Sequence, residues 1–316
     1  MKWNNILIAR LLMLSLLFAG SCKSYSEKQL AKETATRGDI KIAVDESYQL
    51  LVDSQISTFT SLYKYAHIHA INASEDSVLK LFMADSVRLM VTSRKLSPNE
   101  ESFLKDNLIV PRTTQIAWDG VAFLVNRNNP LNDIRYNALK DILNNVSDSW
   151  DDIDPSSRLG GIRVVFDNQG SANVRYIMKK FNISALPEYC YAANSNPSVV
   201  DYVESHDNAL GIISVNWISD TDDSISHAFL GRVKVLGVSQ EFDTDGNDFF
   251  TPHPAYIADK SYPFIREVYA ITRETFTGLG RGFIQFVAGD QGQRIVLKSG
   301  MVPATMPVRI VQIRKE

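Results

Sequence analysis

The sequence has little of what would mark a disulfide-stabilised, low-complexity or nucleic-acid-binding protein. Its 316 residues include 2 Cys, which excludes a framework of several disulfides. Gly and Pro number only 16 and 11, too few for a collagen-like or low-complexity chain. Lys plus Arg total 33 against 36 for Asp plus Glu, so no basic excess is available to neutralise a nucleic-acid backbone. With 45% hydrophobic residues, the chain instead predicts a folded protein with a sizeable core and no nucleic acid among its partners.

The motifs of the common catalytic chemistries are also missing. The chain contains no G-x-S-x-G, no H-E-x-x-H, no phosphate-cradling G-x-x-x-x-G-K and no Cys cluster for zinc. Gly278, Gly280 and Gly282 lack the preceding strand and the spacing of a dinucleotide-binding loop, so they predict the entry to a helix. Cys190 lacks any local sequence typical of a Cys-His catalyst and is predicted to be a buried apolar side chain. We therefore expect no catalytic residue and no cofactor.

Two features of the sequence resemble parts of a metal site. His67 and His69 point to one face of a predicted strand, but two ligands are too few for a metal ion. The polar stretch 242–253 has the acidic spacing of a calcium loop, yet Pro252 stands where a Glu must close the site. We predict a solvated loop there and no bound metal.

The N-terminus resembles an export signal. Residues 11–19 form an apolar run that is shorter than a typical membrane span. The run ends in Ala19-Gly20-Ser21-Cys22, which is similar to a bacterial lipobox, where the Cys is lipidated and becomes the new N-terminus. We therefore predict a signal peptide over 1–21, a lipid on Cys22, a polar tether over 22–37, and a periplasm-facing, membrane-anchored lipoprotein of the bacterial envelope. The alternative is a plain secretory signal in which Cys22 is incidental.

Apolar segments alternate with segments of helical periodicity through most of the chain. Ile40 to Val44, Ile68 to Ile71 and Val87 to Val91 each predict a short strand, and each is followed by a polar loop and a helix. Such alternation is typical of an α/β protein with a mainly parallel sheet and helices on both faces. Val121 to Val125 is continuously apolar, as in a strand buried on both sides, and is predicted to begin a second lobe.

Hydroxyl residues recur where a predicted strand ends and a helix begins. They are Ser47, Ser74 with Ser77, Ser93 and Ser171. A helix start offers free N–H groups and the positive end of the helix dipole, which together attract anions. Taken singly, each Ser is explained as an N-cap worth about 1 kcal/mol to its helix. Because several of them converge at the carboxyl ends of parallel strands, the arrangement favours a ligand crevice.

Four C-terminal segments resemble elements of one protein family. They are Tyr262 to Tyr269, Gly282 to Phe286, Gly292-Gln293 and Gly300 to Pro303, which match the elements Y-P-L-x-R, G-F-x-x-F, G-Q and G-x-V-P. Through these residues the mature chain resembles the PstS-like phosphate-binding proteins of ABC transporters, which are type II periplasmic binding proteins. The resemblance implies two α/β lobes, with mixed but mainly parallel sheets and helices on both faces, around an interlobe ligand cleft. We expect lobe one to comprise 38–119 plus 255–316, and lobe two 120–254.

The resemblance also implies a function. It implies that a monomer captures a small oxyanion, most directly inorganic phosphate, for an ABC permease in the inner membrane and catalyses no reaction. One alternative is a family member that serves as an extracytoplasmic sensor or structural partner of an envelope complex, which the carboxylates Glu75 and Asp76 and the altered loop 166–172 motivate. The other is a hydrolase, for which the sequence shows no pair of base and nucleophile.

The ligand positions of the family carry over unevenly. Ser47-Tyr48 is similar to the family's Thr-Phe, whose hydroxyl and backbone N–H groups hold one edge of the phosphate. Ser74 matches the first Ser of G-S-S-G-G, with Glu75-Asp76-Ser77 in place of the following residues. Ser93-Arg94 resembles a variant of the family's G-A-S-D loop, and Gly170-Ser171-Ala172 falls on its S-G-T. The ligand-binding residues implied by the resemblance are Ser47, Tyr48, Ser74, Ser77, Ser93, Arg94, Gly170, Ser171 and Ala172.

One cation of the family's site is missing and another is present. Phe166 stands where the family has an Arg, and Arg94 replaces an Asp that accepts a phosphate proton. The charge of the site is thus kept while its position moves, and an Arg fork suits a tetrahedral oxyanion. The alternative is a surface ion pair of Arg94 with Glu100 or Glu101. Arg175 is a second candidate cation, unless its side chain is solvated.

Overall fold

The structure is a computed structural model that describes residues 33–219, 224–243 and 248–307. The predicted signal peptide 1–21, the predicted lipidation site Cys22 and most of the predicted tether lie outside the described residues. Within the described ranges, no helix is both long and apolar enough to cross a membrane.

Strands and helices alternate along the described chain, as the hydrophobic pattern predicts. The strands are β1 (Arg37–Asp45), β2 (Tyr65–Ala73), β3 (Leu89–Thr92), β4 (Arg112–Asn126), β5 (Asp133–Ile134), β6 (Arg163–Phe166), β7 (Cys190–Ala192), β8 (Ala209–Ser214), β9 (Val233–Val235), β10 (Gly237–Ser239), β11 (Phe249–Phe250), β12 (Ile265–Thr272) and β13 (Val302–Pro303). The helices are α1 (Gln49–Leu62), α2 (Glu75–Met83), α3 (Pro98–Asp106), α4 (Tyr136–Leu143), α5 (Trp150–Ile153), α6 (Ala172–Phe181), α7 (Asn196–Ser205), α8 (Ser224–Arg232), α9 (Pro254–Ala258), α10 (Leu279–Ala288) and α11 (Asp290–Lys298). Short 3-10 turns, Glu46–Tyr48 and Val215–Trp217, follow β1 and β8.

One large mixed sheet runs through the molecule. Its strands lie in the order β2-β1-β3-β12-β4-β8-β6-β7. β1 pairs in parallel with β2 and β3, and β6 pairs in parallel with β7 and β8. Between these two parallel groups lie β12 and β4, which are antiparallel to each other and to their neighbours. The predicted α/β class with a mixed, mainly parallel sheet is confirmed.

β4 belongs to both halves of this sheet. Its residues up to Gly120 pair with β12, and from Val121 onward it pairs with β8 and β9. The segment Val121 to Val125 is fully buried, as its continuous apolar run predicts. The change of partners at Gly120 lies next to a predicted lobe boundary, while the complete division of the chain into 38–119 plus 255–316 and 120–254 stays a prediction.

The folded domain includes residues that the sequence assigns to the tether. The Glu33 carboxylate accepts a hydrogen bond from the backbone N–H of Leu279 (3.0 Å). The carbonyl oxygen of Ala35 lies so close to Gly282 that a Cβ there would be 1.8 Å away. A carboxylate at the start of α10 accepts a free backbone N–H and interacts favourably with the positive end of the helix dipole. This interaction stabilises the position of the chain around Glu33. The predicted tether, 22–37, is therefore too long at its C-terminal end.

The Gly-rich segment opens a helix, as predicted. Gly278 precedes the first turn of α10. The buried Glu274 carboxylate accepts the backbone N–H groups of Gly280 (3.0 Å) and Arg281 (2.9 Å). A Cβ at Gly280 would lie 2.8 Å from this carboxylate, so Gly permits the close approach. These two N–H groups are thus satisfied by the protein itself.

Phe166, which stands where the related family has an Arg, packs in the apolar core at the end of β6. It lines a cavity together with Val174, Met178 and Cys190.

The sequence predicts a buried Cys190, whereas the structure leaves it half-buried. Desolvation still raises the pKa of its thiol to about 12, so the thiolate is disfavoured near neutral pH.

Candidate anion-binding site

Loops from both halves of the sheet meet where the parallel strands end. The backbone N–H of Asp76 donates to the carbonyl oxygen of Gly170 (3.3 Å). The side-chain amide of Asn216 donates to the carbonyl oxygen of Ser47 (3.1 Å). The loops after β1, β2, β6 and β8 therefore close around one cleft. The crevice beyond the carboxyl ends of parallel strands is where α/β proteins bind ligands.

Ser47 and Tyr48 lie deep in this cleft. Both side chains are fully buried in the 3-10 turn after β1. The Asp45 carboxylate caps this turn by accepting the backbone N–H of Ser47 (2.8 Å). The guanidinium of Arg266 lies 5.4 Å from the centre of the Tyr48 ring, within the range of a cation–π contact. The structure thus brings this predicted pair next to a buried carboxylate and a buried cation.

Two hydroxyls and two carboxylates lie at the start of α2. Ser74 Oγ donates to Ser77 Oγ (2.9 Å), and both residues are half-buried. The two neighbouring carboxylates point in different directions, since Glu75 is 1% exposed whereas Asp76 is exposed. One carboxylate therefore enters the cleft in which the sequence predicts an anion.

The Glu75 carboxylate is bound by donors from both sides of the cleft. Its Oε1 accepts hydrogen bonds from the Thr92 hydroxyl, the Ser93 backbone N–H (3.1 Å) and the Ser93 hydroxyl (3.1 Å). Its Oε2 forms an ion pair with Arg175, which also donates to the Ser93 hydroxyl (3.1 Å). Thr92 is the last residue of β3 and Ser93 follows it, while Arg175 lies near the start of α6. Hydroxyl, backbone N–H and guanidinium groups are the donors that commonly bind oxyanions in proteins.

Arg94, the first candidate cation, binds a different carboxylate. Its guanidinium donates to both oxygens of Glu100 (2.8 and 2.7 Å). Hydrogen bonds from Arg94 lower the pKa of Glu100 to about 2. The structure therefore contains the ion pair that was the alternative for Arg94, and its role as an oxyanion ligand stays a prediction. Arg175, the second candidate, reaches the cleft.

Gly170, Ser171 and Ala172 form the turn from β6 into α6. Ser171 is buried and caps α6, since its hydroxyl accepts the backbone N–H of Val174 (3.1 Å). Ala172, the first residue of the helix, is fully buried. A Cβ at Gly170 would lie 3.1 Å from the Asp76 carboxylate, so Gly permits close contact between the loops. The N-cap explanation holds for Ser171, and the turn faces α2 across the cleft.

Arg266 and its carboxylate neighbours are residues that the sequence did not assign to the site. Arg266 Nε donates to Asp119 Oδ2 (2.8 Å), and both side chains are buried. In the described part of the chain, Arg266 Nη1 and Nη2 have no hydrogen-bond partner. Asp45 and Asp167 are also buried in this region. In the sequence, Arg266 contributes only to the family resemblance, although a charged residue in a largely apolar strand was a signal of a buried partner.

Burial raises the pKa of these carboxylates. The pKa of Asp45 rises to about 6 because the group is desolvated, in spite of the attraction of Arg266. Desolvation also raises the pKa values of Asp119 and Asp167. Because the folded pKa of Asp45 lies above its unfolded value of 3.8, this group's contribution to stability falls as the pH rises from about 4 through 6. Burial lowers the pKa of Arg175 to about 10, so it remains a cation at neutral pH.

The sequence features that resemble parts of a metal site lie away from this cleft or partly outside the described residues. His67 and His69 are exposed on β2, and His69 lies 3.1 Å from Asp39. Of the polar stretch 242–253, residues 244–247 are not described. Within the three described ranges, no group of three or more His, Cys, Asp or Glu side chains is placed to hold a metal ion.

The chain matches one family model and several curated proteins. The model, described as the PBP superfamily domain, matches residues 31–291. The chain is similar to the phosphate-binding protein PstS of Staphylococcus saprophyticus, with 24% identity over 220 residues, which cover 67% of this chain and 64% of that protein. The match thus spans less than two thirds of that relative's length. The chain is also similar to the phosphate-binding protein PstS of Bacillus subtilis, with 20% identity over 96% of each chain.

Solved structures share the fold. The chain is similar to an ABC transporter substrate-binding protein from Clostridium perfringens with bound phosphate, with a TM-score of 0.69 and 21% identity over 84% of this chain and 99% of that one. It is also similar to an ABC-type phosphate transport receptor from Vibrio cholerae, with a TM-score of 0.61 and 18% identity over 84% of this chain and 100% of that one. The predicted two-lobed fold of the type II periplasmic binding proteins is confirmed.

Proposed function

The chain belongs to the PBP superfamily, and we propose that it captures a small oxyanion, inorganic phosphate in the first place, in the cleft between its lobes. The relatives named as phosphate-binding proteins, and the similar structure with bound phosphate, support this ligand. The bound oxyanion is then delivered to an ABC-type permease in the inner membrane. The protein acts as a monomer on the extracytoplasmic side.

The observation that carries this proposal is a set of oxyanion donors from both sides of the cleft. Thr92 and Ser93 at the end of β3 and Arg175 on α6 converge there on a carboxylate of the protein itself, that of Glu75. Charge-assisted hydrogen bonds are about twice as strong as neutral ones, and an Arg fork matches an oxyanion in shape. The same donors suit the oxygens of a phosphate.

The site binds without turnover under this proposal. The hydroxyls of Thr92 and Ser93 donate to the Glu75 carboxylate. That carboxylate is itself paired with Arg175, so it is a weak base toward either hydroxyl. Binding of the solute is therefore the whole of the proposed activity, and catalysis is not part of it.

Titration of the purified protein with inorganic phosphate tests the proposal. We expect saturable binding at one site per chain, recovery of the phosphate unchanged, and a rise in the thermal unfolding temperature with phosphate concentration. Sulfate serves as the control oxyanion, because it has the same shape but carries no proton at neutral pH.

A second candidate function, a sensor or structural partner in the envelope, is favoured by the carboxylate that fills the anion site. Absence of phosphate binding at millimolar concentration would favour this second candidate.

The proposed anchor depends on Cys22, in the part of the chain before the described residues. We expect the wild-type protein to fractionate with membranes and to carry a lipid on a mature N-terminal Cys. Cys22→Ala is expected to release the protein into the soluble fraction or to leave the leader uncleaved. Membrane fractionation and mass spectrometry of the N-terminus measure both outcomes. A soluble wild-type protein with an unmodified N-terminus would contradict the anchor.

A further inference from the structure

We propose that Glu75 is a built-in competitor of the solute, which occupies the oxyanion position and holds the two lobes closed when no solute is bound. The inference rests on the proposed function, because it assigns Glu75 to the same anion site. Glu75 replaces a residue of the loop G-S-S-G-G in the family that the chain resembles. The inference therefore concerns a carboxylate that this loop pattern lacks.

The position of the carboxylate is the first support. Glu75 is 1% exposed, although it is the first residue of α2 and lies beside a polar loop. A charged side chain is rarely buried to this extent unless it is paired. Here its Oε1 accepts hydrogen bonds from the hydroxyls of Thr92 and Ser93 and from the Ser93 backbone N–H, and its Oε2 forms an ion pair with Arg175. The burial of Glu75 is therefore the consequence of an anion site, which the carboxylate fills.

Competition follows from the charges. A phosphate that used Arg175 and Ser93 would place a second anion within hydrogen-bond distance of the donors that now bind Glu75. Two anions in contact disfavour each other, so one of them must leave or take up a proton. The solute therefore binds only where Glu75 has withdrawn or taken up a proton, and its apparent affinity falls in proportion to the fraction of molecules in that state.

Closure follows from the origin of the donors. Thr92 ends a strand of the first parallel group and Ser93 follows it, whereas Arg175 follows a strand of the second. The ion pair of Glu75 with Arg175 therefore joins the two groups. In a two-lobed binding protein the solute ordinarily supplies such a link, and hinge closure follows its binding. In this protein the Glu75 side chain supplies it, beside the hydrogen bonds of Asp76 with Gly170 and of Asn216 with Ser47.

Glu101 provides a matched control, because it lies in the first turn of another helix, α3, and allows the same change from Glu to Gln. Its side chain is 45% exposed and lies 3.8 Å from Lys105, whereas the side chain of Glu75 is enclosed in the cleft. Glu75→Gln and Glu101→Gln each remove one negative charge from the first turn of a helix. A difference between the two variants therefore reports the contacts of Glu75 in the cleft.

The experiment compares the wild-type protein, Glu75→Gln and Glu101→Gln by small-angle scattering without phosphate and by calorimetric titration with inorganic phosphate. We expect ligand-free Glu75→Gln to have a larger radius of gyration than the wild-type protein, and phosphate to reduce that radius. We expect it to bind phosphate at least about tenfold more tightly, since both the competitor and the like charge are gone. Glu101→Gln is expected to match the wild-type protein in both measurements.

Unchanged dimensions of ligand-free Glu75→Gln, or phosphate affinity that is equal to or below that of the wild-type protein, would overturn the inference. If Glu75→Gln does not fold, ligand-free Arg175→Met tests the same link from the other side and is expected to have the larger radius. Expansion of ligand-free Glu75→Gln without phosphate binding by any variant would support the link between the lobes and contradict phosphate as the solute. The two proposals can therefore fail separately.

Discussion

Arg175→Met is expected to bind inorganic phosphate about a hundredfold or more weakly than the wild-type protein. A hydrogen bond to a charged group is worth about 1.5–3 kcal/mol, and a guanidinium fork makes two of them. At about 1.4 kcal/mol for each factor of ten in affinity, the loss of both exceeds a hundredfold. The substitution also leaves the Glu75 carboxylate without its cation beside the incoming anion, which adds to the loss.

Arg94→Met is the matched control for this prediction. Its guanidinium is held by Glu100 through two hydrogen bonds of 2.8 and 2.7 Å. We expect the phosphate affinity of Arg94→Met to stay within a factor of about three of the wild-type value, because the half-buried guanidinium is held by Glu100 and not by the residues around Glu75. Calorimetric titration of both variants, with thermal melts to confirm folding, measures the contrast. If Arg94→Met weakens binding as much as Arg175→Met, then Arg94 is a ligand, as the family resemblance implies.

Asp119→Asn is expected to lower the free energy of unfolding by about 3 kcal/mol. The Asp119 side chain is fully buried and accepts hydrogen bonds from Arg266 Nε (2.8 Å) and the Ser214 hydroxyl (2.9 Å). Removal of one partner from a buried ion pair leaves the other charge uncompensated in the interior, at a cost of about 3–5 kcal/mol. We take the lower end because Asp45 also attracts Arg266. Urea unfolding near neutral pH measures the loss as a lower transition midpoint.

An exposed ion pair gives the control for this stability prediction. Asp290 and Arg294 lie 3.0 Å apart on α11, and both side chains are more than half exposed. Exposed pairs at this helical spacing contribute about 0.3–0.5 kcal/mol, so Asp290→Asn is expected to change the midpoint only slightly. Equal stability of Asp119→Asn and the wild-type protein would show that Arg266 does not need a charged partner.

These two pairs of variants separate the chemistry of binding from that of folding. Arg175 is partly exposed at the closed cleft and is expected to affect affinity first. Asp119 lies on β4, next to Gly120, where the sheet changes partners. The buried ion pair of Asp119 with Arg266 links β4 to β12 at the point where the two halves of the sheet meet. We therefore expect Asp119→Asn to affect stability first.

Much of the site was accessible from local sequence. The hydroxyl residues Ser47, Ser74, Ser93 and Ser171 all lie in the loops that meet at the cleft, as their positions after predicted strands indicated. The Ser171 cap joins residues three apart in the sequence, and each strand was predicted from a short apolar run. Such features are set by backbone geometry over one or two turns. Sequence patterns of the same length are therefore sufficient to predict them.

The partners of the charged side chains were not accessible in this way. Glu75 and Asp76 differ by about 100° around a helix axis, and the packing of α2 beside β3 selects which of them faces Arg175. Arg175 meets Ser93 across 82 residues of sequence, and Arg266 meets Asp119 across 147. An ion pair depends on distance and burial, and the folding of distant strands sets both. Local sequence was thus sufficient to predict the strands, the helix starts and the family. The tertiary structure determined which carboxylate enters the cleft and which arginine pairs with it, because both depend on the packing of distant segments.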